Sequence, residues 1–439
     1  MTEEKNIRHH FFFFYYSHIF MITNHGMHRW EFIFGLPDKG GENVFVNQFT
    51  EVLAELGYKI TIVNRGGYEH PVTKEMHTGV RYKDKNQRIL YVEDDTKQFV
   101  RKEDMKEHVP QLADFLYTFL DNEGIPVDII LSHYWDSAML GILYNQKREN
   151  RITHVWVPHS LGTVKKKNMK PETWEKLRLP ERIETEKTFN RDLDGVGATS
   201  ALIREALKKD YGYENPLFLP PCINPDRFYR REIVPDHDIW NFLSSTTGLS
   251  IEEVRRCRII SEISRTDKTK RKDVLIRAFA KLRESYPDTV LVVAMDKSEE
   301  ELWDELEKLM EETGSRSHIA AIGNEWERLP YLYSVTDVYC SPSVMEGFGM
   351  AVQEAAATRV PVVGSNLIPF VTEYLLGTEV EKVPCWSGDS VLRVGEGAIV
   401  VPADEVDGFA QALKLYFDDE TLRKKSGQVA YHITVPYFT

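Results

Sequence analysis

The sequence predicts an α/β fold in which two doubly wound, Rossmann-like domains face each other across a cleft. Apolar strand patterns alternate with helical patterns along most of the chain, which is typical of parallel sheets covered by helices. At 439 residues the chain is too long for one hydrophobic core of ordinary size. A breaker-rich stretch with prolines at 220, 221 and 225 separates two alternating series. We therefore predict an N-terminal domain over 1–220, a linker over 221–257 and a C-terminal domain over 258–439.

The individual elements follow from apolar spacing. The first series is strand 19–23, helix 44–56, strand 59–63, helix 110–120 and strands 127–131, 152–157 and 193–198. A polar linker with one short helix follows. The second series is strand 258–263, helix 272–284, strand 289–294, helix 299–313, strands 318–322 and 338–340, a helix from about Gly349, and strand 360–363. Because ligands of doubly wound sheets bind beyond the carboxyl ends of the strands, the residues that follow each strand are the first functional candidates.

The composition disfavours several classes of protein. A net charge of −13 disfavours a nucleic-acid partner, whose phosphates would be repelled. Four cysteines without metal-ligand spacing favour a reducing cytoplasm, and no run approaches the roughly 18 apolar residues of a membrane span. The aromatic run FFFFYY at 11–16 lacks a signal-peptide cleavage site. We predict that it packs on the first strand or extends it, with dipping into a membrane as the alternative.

The segment at 341–364, SPSVMEGFGMAVQEAAATRVPVVG, carries the strongest functional pattern. A glycine turn that leads into a helix presents free backbone N–H groups and a positive dipole end, which suit a diphosphate. Glu354 lies about two turns along that helix, where its carboxylate could accept hydrogen bonds from a ribose diol. Glu346 precedes the turn, within reach of a sugar attached to the phosphate. The order of these features predicts a nucleotide-sugar site, although isolated glutamates on helices are usually only solvated.

Cations and paired glycines follow other strands. Arg265 and Lys270 come after the first strand of the second series, and both could reach one diphosphate leaving group, although basic loops are often only solvated. Gly40 and Gly41 follow the first strand of the chain, and glycines allow close approach of the backbone to a reacting centre. A plain turn between strand and helix is the alternative for this pair.

Two histidines directly follow parallel strands in the first domain. His133 begins HYWD and His159 begins HSLG, with Lys165 six residues beyond the second histidine. Single histidines are more often structural, but two at the same sheet edge favour a functional role. Lys165 starts a run of three lysines, which could be a solvated surface or an anion site.

Together these motifs resemble the retaining GT-B glycosyltransferases of family 4, in the group that contains sucrose synthase and sucrose-phosphate synthase. The segment 346–354 resembles the E-x7-E signature, 265–270 the R-x-D-x-x-K element and 40–41 the Gly-Gly loop. The segments 133–136, 159–162 and 182–186 resemble the H-Y-x-D, H-S-L-G and R-I-x-x-E elements. The resemblance runs from about residue 19 to the end of the chain.

The resemblance implies roles for individual residues. It assigns catalytic roles to His133, Arg265, Lys270 and Glu346, and donor binding to Gly41, Gly347, Phe348, Gly349, Met350 and Glu354. It assigns acceptor binding to Gly40, Glu42, His159, Ser160, Lys165, Arg178, Arg182 and Lys97, with Lys102 as an alternative register for Lys97. It also suggests that the base of the nucleotide lies near 323–324.

Three departures from the group are visible. Glu42 stands where the group usually has glutamine, and Arg271 where it usually has asparagine. GT-B enzymes normally finish with a helix that crosses back to the first domain. Because this sequence stops at 435–439, we expect either that the chain is truncated or that this helix is missing.

The resemblance implies retaining transfer of a hexose from a nucleoside-diphosphate sugar, UDP-glucose first, to a small phosphorylated acceptor such as fructose 6-phosphate. The alternatives are a GDP-mannose-dependent transferase acting on a phosphorylated sugar or a glucosyl-phosphoglycerate, a GT-B nucleotide-sugar 2-epimerase, and an inactive nucleotide-sugar-binding subunit. We expect no metal or cofactor, since no zinc spacing or Walker loop is found and the DLD at 192–194 leads into a strand. The sequence does not specify the base, the sugar, the acceptor or the oligomeric state.

Overall fold

Two eight-stranded sheets form the frame of a computed structural model that describes residues 17–31, 40–297, 299–323 and 325–439. Both sheets are mainly parallel and carry helices on both faces, so the predicted α/β fold of two Rossmann-like domains is confirmed. The aromatic run at 11–16 and residue 324 lie outside the described residues. The predicted domain boundaries stay a prediction, although the chain passes from one sheet to the other between residues 218 and 258.

The first sheet has seven parallel strands and one antiparallel strand at its edge. Its strands are β1 (His18–Ile22), β2 (Lys59–Arg65), β3 (Gly79–Tyr82), β4 (Gln87–Val92), β5 (Ile129–His133), β6 (Thr153–Val157), β7 (Gly195–Ala198) and β8 (Leu217–Phe218). Their order is β3-β4-β2-β1-β5-β6-β7-β8, with β3 antiparallel to β4. The helices are α1 (Gly41–Glu55), α2 (Val109–Glu123), α3 (Tyr134–Gln146), α4 (Gly162–Asn168), α5 (Glu172–Lys176), α6 (Leu179–Thr188) and α7 (Ala201–Tyr211).

Burial on both faces explains why the central strands are continuous apolar runs. In β1 every residue is buried. Phe20 and Ile22 belong to the apolar cluster that includes residues of α2 and α3, whereas Ile19 and Met21 pack with Phe45 of α1. Parallel strands covered by helices on both sides have this pattern. Their carboxyl ends meet at one edge, where the candidate residues lie.

The second sheet repeats this plan. Its strands are β9 (Arg258–Glu262), β10 (Thr289–Ala294), β11 (Ile319–Ile322), β12 (Val338–Ser341), β13 (Val362–Ser365), β14 (Glu381–Pro384), β15 (Val391–Val394) and β16 (Ala398–Val401). Their order is β11-β10-β9-β12-β13-β16-β15-β14, with antiparallel pairing only at β14, β15 and β16. The helices are α8 (Asp238–Thr246), α9 (Ile251–Arg256), α10 (Lys272–Arg283), α11 (Glu300–Glu312), α12 (Leu329–Val335), α13 (Met350–Ala357), α14 (Val406–Asp418) and α15 (Glu420–Thr434).

Several predicted bounds differ from the structure. The strand predicted at 127–131 runs instead from Ile129 to His133. Helix α3 begins at once at Tyr134, so HYWD contains the end of a strand and the start of a helix. The predicted linker contains two helices, α8 and α9, where one was expected. Strand β4 was missed because it carries Arg88, whose guanidinium is neutralised by Glu123 at 2.5 and 2.7 Å.

The last described helix, α15, packs on α13 and α14 of the second sheet. Beyond it, Phe438 is buried against Phe348 and Phe370, and its carbonyl oxygen accepts a hydrogen bond from the Ile223 amide at 2.6 Å. The expectation of a missing cross-over helix stays a prediction. Across the described ranges, no helix combines the length and apolarity needed to cross a bilayer.

Candidate active site

A cleft of about 280 Å³ lies between the two sheets, at the carboxyl ends of their strands. Most of the predicted site residues line it, from both domains. These are Gly40, Gly41, Glu42, His159, Ser160 and Lys165 of the first domain, and Arg265, Lys270, Glu346, Gly347, Phe348, Gly349, Met350 and Glu354 of the second. The structure thus brings together the motifs that the sequence placed after different strands, as doubly wound sheets do.

The two domains touch directly at this cleft. A Cβ atom added to Gly347 would lie 2.2 Å from the carbonyl oxygen of His159, so only glycine fits there. A Cβ on Gly41 would lie 3.0 Å from the Met350 sulfur. The Gly-Gly loop and the Gly-Phe-Gly turn therefore form opposite walls of one narrow space.

The glycine turn starts helix α13. Gly349 has φ 111°, a backbone conformation that residues other than glycine rarely adopt. A Cβ atom at this position would also lie 2.7 Å from the side chain of Ile368. Helix α13 begins at the next residue, Met350. The amino end of this helix faces the cleft, where it can stabilise negative charge.

Glu354 lies farther along α13 and is almost fully buried, with 7% exposure. Its carboxylate accepts a hydrogen bond from the Tyr333 hydroxyl at 3.0 Å. Burial raises the pKa of Glu354 to about 7, against smaller opposing effects of Tyr333 and Arg227. The group is therefore half ionised near neutral pH and can gain charge when a ligand donates to it.

Lys270 and Glu346 form an ion pair on the wall of the cleft. Nζ of Lys270 donates to Oε1 of Glu346 at 2.5 Å, and the side chains are only 9% and 20% exposed. Arg265, in contrast, is exposed and lies against Gly40, where an added Cβ would be 3.5 Å from its Nε. The two cations are thus held on the same side of the cleft.

Buried contacts of Lys272 hold the loop that carries these cations. Lys272 forms a buried ion pair with Glu262 at the end of β9, and its Nζ also donates to the Ser264 hydroxyl at 2.9 Å. Burial lowers the pKa of Lys272, against the opposing charge of Glu262. Arg271 adopts φ 52°, a left-handed conformation that asparagine tolerates better than arginine. Its guanidinium pairs with Asp273 at 3.0 Å and with Asp404, so local ion pairs accompany this departure from the group.

A second cationic region lies at the first-domain end of the cleft. The Tyr134 hydroxyl accepts hydrogen bonds from Nζ of Lys165 at 2.9 Å and from Nη1 of Arg182 at 2.5 Å. Lys102 also lines the cleft there. Burial alone would raise the pKa of Tyr134, but the positive charges of Arg182 and Lys165 lower it below its ordinary value. Burial also lowers the pKa of Lys165. Cations in such a partly buried wall can form charge-assisted hydrogen bonds with an anion.

Arg182 and Arg178 differ in burial and in their position relative to the cleft. Arg182 is 5% exposed, and its guanidinium donates to Glu186, to Tyr134 and to the carbonyl of Ser160, so it supports the cleft wall from behind. Arg178 lies outside the main cleft, where its guanidinium is within 3.4 Å of Glu181, Asp104 and Glu107. Both arginines border a smaller hollow shared with Lys165.

The structure does not bring Lys97 into the cleft. Its side chain is 60% exposed, and its Nζ lies 3.4 Å from Glu93. The alternative register, Lys102, is the one that lines the cleft, and it is the first residue of a six-residue 3-10 helix, Lys102–Glu107.

His133 lies behind the cleft surface. It is fully buried, and its Nδ1 is 2.9 Å from Nε2 of His159, which does line the cleft. Burial, together with the charge of His159, lowers the pKa of His133 to about 3, and burial lowers the pKa of His159 to about 4. The pair is therefore neutral and shares one hydrogen bond. Nε2 of His133 is buried without a hydrogen-bond partner among the described residues.

The structure adds one site residue that the sequence reasoning missed, His25. It lines the cleft three residues after β1, with Nε2 at 3.3 Å from Glu42 and Nδ1 at 3.1 Å from Asp136. Burial would lower the pKa of His25, but the two carboxylates raise it well above its ordinary value. Burial would raise the pKa of Glu42, but the charge and hydrogen bond of His25 lower it below its ordinary range. The rule that post-strand residues form the site could have found His25.

No cluster of three or more His, Cys, Asp or Glu side chains suited to a metal occurs in the residues that the structure covers. The candidate site contains two cationic regions, a helix amino terminus, a buried carboxylate and a neutral histidine pair.

Comparisons with known proteins identify the family of this chain. Residues 253–433 match the family described as "Glycosyl transferases group 1", and residues 39–227 match "Glycosyltransferase Family 4". Mannosylfructose-phosphate synthase of Agrobacterium fabrum (strain C58 / ATCC 33970) is 27% identical over 362 residues, which cover 79% of this chain and 75% of that protein.

Solved structures show the same fold. Sucrose-phosphate synthase from Thermosynechococcus elongatus has a TM-score of 0.77 at 21% identity and covers 96% of this chain and 95% of its own. The Anabaena protein HepE, in complex with UDP and glucose, has a TM-score of 0.69 at 13% identity, over 96% of this chain and 95% of that one. The predicted family resemblance is confirmed. The chain belongs to the family 4 glycosyltransferases of the GT-B fold, in the group similar to sucrose-phosphate synthase, and is a retaining hexosyltransferase.

Proposed function

We propose that this protein transfers a hexose, glucose from UDP-glucose first, to a small phosphorylated acceptor such as fructose 6-phosphate. One observation carries the proposal: the same cleft has two separate cationic ends. Arg265 and Lys270 lie beside the amino end of α13, which suits the diphosphate of a donor. Lys102 and Lys165 lie at the opposite end, which suits a phosphate on the acceptor.

The residues then have distinct parts in the transfer. The helix amino end, Arg265 and Lys270 stabilise the charge that develops on the diphosphate as the bond to the sugar breaks. Glu346 orients the sugar through its hydroxyls, and the ion pair with Lys270 holds that carboxylate in place. In a front-face reaction, the departing phosphate oxygen takes the proton of the attacking hydroxyl, so the sugar configuration is retained without an enzymatic nucleophile.

Transfer of mannose from GDP-mannose to a phosphorylated sugar or glucosyl-phosphoglycerate is the second candidate. It is favoured by the similarity to a mannosylfructose-phosphate synthase, and it would use the same two cationic ends. A nucleotide-sugar 2-epimerase would need only the donor end, so Lys165 and its partners at the other end argue against that activity. The four cysteines are unpaired, which fits a reducing compartment, so we infer that the reaction takes place in the cytoplasm.

A matrix of donors and acceptors tests the proposal. UDP-, ADP- and GDP-hexoses are each offered with sugar phosphates, inositol phosphates and phosphoglycerate derivatives, and nucleotide release and product mass are measured. We expect release that depends on a phosphorylated acceptor and a product one hexose heavier. Products that form without any acceptor would indicate an epimerase, and donor binding without turnover would indicate an inactive subunit.

A further inference from the structure

A carboxylate lies in the cleft where the related group has an amide. Glu42 is the second residue of α1, next to the Gly-Gly loop, and its side chain is 11% exposed. Its Oε1 accepts a hydrogen bond from the Thr23 hydroxyl at 3.0 Å, and its Oε2 lies 3.3 Å from Nε2 of His25. Each oxygen thus has one partner in the protein and further lone pairs for a ligand.

His25 is held between two carboxylates, Glu42 at Nε2 and Asp136 at Nδ1. A ring with a carboxylate oxygen at each nitrogen is satisfied as an imidazolium, which donates from both. The other titratable groups nearby are Tyr134, whose ring meets His25 edge-on at 4.7 Å, and the neutral pair of His133 and His159. None of these can replace the positive charge. His25 therefore fixes Glu42 as an ionised carboxylate.

Contacts order the charges along the cleft. Gly40 lies against the side chain of Arg265, at the donor end. Glu42 follows two residues later and is joined through His25 to Tyr134. The Tyr134 hydroxyl in turn accepts from Lys165, at the acceptor end. The negative charge of Glu42 lies between the two cationic ends, so an acceptor with its phosphate at Lys165 passes its sugar portion beside Glu42.

We propose that Glu42, fixed by His25, is a specificity-determining residue that accepts a hydrogen bond from an acceptor hydroxyl and rejects acceptors with a second phosphate at that end. The inference rests on the proposed transfer to a phosphorylated acceptor. Hydroxyl groups donate to a carboxylate. A phosphate within about 4 Å of the same carboxylate meets like-charge repulsion that is strong away from bulk water. The amide of glutamine both accepts and donates, and it repels neither group.

The experiment compares fructose 6-phosphate with fructose 1,6-bisphosphate, each tested as acceptor and as competing ligand with the donor that the enzyme turns over. We expect the wild type to bind the bisphosphate at least about tenfold more weakly than the monophosphate. Glu42→Gln should bring this ratio to about one and raise the KM for the monophosphate, with the donor KM within about twofold of wild type. Glu51→Gln, on the exposed side of the same helix, is the matched control and should keep the wild-type ratio.

A second variant tests the part of His25 as a positioning residue. In His25→Asn the Glu42 carboxylate loses its cationic partner, so burial should leave it protonated at low pH. Discrimination against the bisphosphate should then be lost at pH 6 and return at pH 8.5, whereas the wild type should discriminate at both. A purely structural role for His25 would change activity without this pH dependence.

The outcomes separate this inference from the proposed function. If the wild type transfers to the monophosphate but binds the bisphosphate equally well, or if Glu42→Gln keeps the wild-type ratio, the specificity role is wrong and the proposed transfer stands. If Glu42→Gln raises the donor KM as much as the acceptor KM, Glu42 serves the donor instead. If the wild type transfers to no phosphorylated acceptor, the proposed function fails, and this inference fails with it.

Discussion

Replacing Glu354 by glutamine should stabilise the fold and weaken donor binding at the same pH. Burial raises the pKa of Glu354 to about 7 from an ordinary value of 4.5. Each unit is about 1.4 kcal/mol, so the ionised carboxylate costs the folded protein about 3 kcal/mol. The pKa of Glu354 is higher in the folded than in the unfolded protein. The protonated group therefore contributes its full share of the free energy of unfolding below pH 4.5, and this contribution is lost as the pH rises through 7.

Glu354→Gln should therefore be more stable than the wild type at pH 8 by up to about 3 kcal/mol, reduced by any loss of the Tyr333 hydrogen bond, which is worth about 1 kcal/mol. Near pH 4.5 the two proteins should have similar free energies of unfolding. Denaturant unfolding at both pH values measures the difference. A glutamine variant that is equally destabilised at both pH values would refute the assigned pKa.

Because Glu354 is predicted to hold the ribose diol of the donor, its carboxylate should make donor binding depend on pH. Ribose hydroxyls donate to the ionised form, which is about one tenth of the total at pH 6 and about nine tenths at pH 8, so the affinity for the donor should rise about tenfold over this range. Titration calorimetry with UDP-glucose is suitable because its diphosphate diester does not titrate in this window, whereas a terminal phosphate does, with a pKa of about 6. Glu354→Gln should bind weakly and without this pH dependence. A wild-type affinity that is constant from pH 6 to 8 would refute the reasoning.

Three further substitutions test other parts of the cleft. Arg265→Ala should lower kcat/KM by about 3 kcal/mol or more, since it removes a fixed cation from the leaving diphosphate, and steady-state kinetics measure this. Lys165→Ala should raise the KM for the phosphorylated acceptor at least about tenfold and leave the donor KM unchanged. Glu373→Ala should lower the free energy of unfolding by about 1–2 kcal/mol, measured by denaturant unfolding. The reason is that the Glu373 carboxylate accepts hydrogen bonds from the amides of Ala201 and Leu202, at 2.8 and 3.1 Å. These amides lie at the amino end of α7, in the other domain.

Neighbouring lysines provide matched controls. Lys268 is in the same loop as Arg265 but is 65% exposed and pairs with Glu305, so Lys268→Ala should leave turnover near the wild-type rate. Lys167, two residues after Lys165, is 66% exposed and pairs with Asp210, so its replacement by alanine should leave the acceptor KM unchanged. Equal losses in a control and its partner variant would mean that general basicity, and not position, governs binding.

The sequence was sufficient for the fold and for much of the candidate site, because both depend on local patterns. The strands are short apolar runs, and the glycine turn before α13 predicts the start of that helix. Parallel strands place their carboxyl ends at one edge of each sheet, and the two-domain resemblance places these two edges across a cleft. Residues as distant as Gly40 and Glu354 are therefore predicted in one cleft, and both line it.

What the sequence did not reveal depends on pairing in space. The partners of His25 are 17 and 111 residues away, and no local spacing encodes their distances. The same is true of Arg182. The sequence resemblance predicts that it binds the acceptor, whereas its guanidinium donates hydrogen bonds to Glu186 and Tyr134 behind the surface of the cleft. Burial of this kind is a property of packing, so composition and periodicity do not specify it.

We propose that one cleft holds a donor diphosphate at Arg265 and Lys270 and an acceptor phosphate at Lys165. A crystal structure of the protein with UDP and a sugar phosphate tests this most directly. We predict diphosphate oxygens within about 3.2 Å of the Arg265 and Lys270 nitrogens, and the acceptor phosphate at the same distance from Lys165. A diphosphate bound away from both cations, or a sugar phosphate outside the cleft, would contradict the claim.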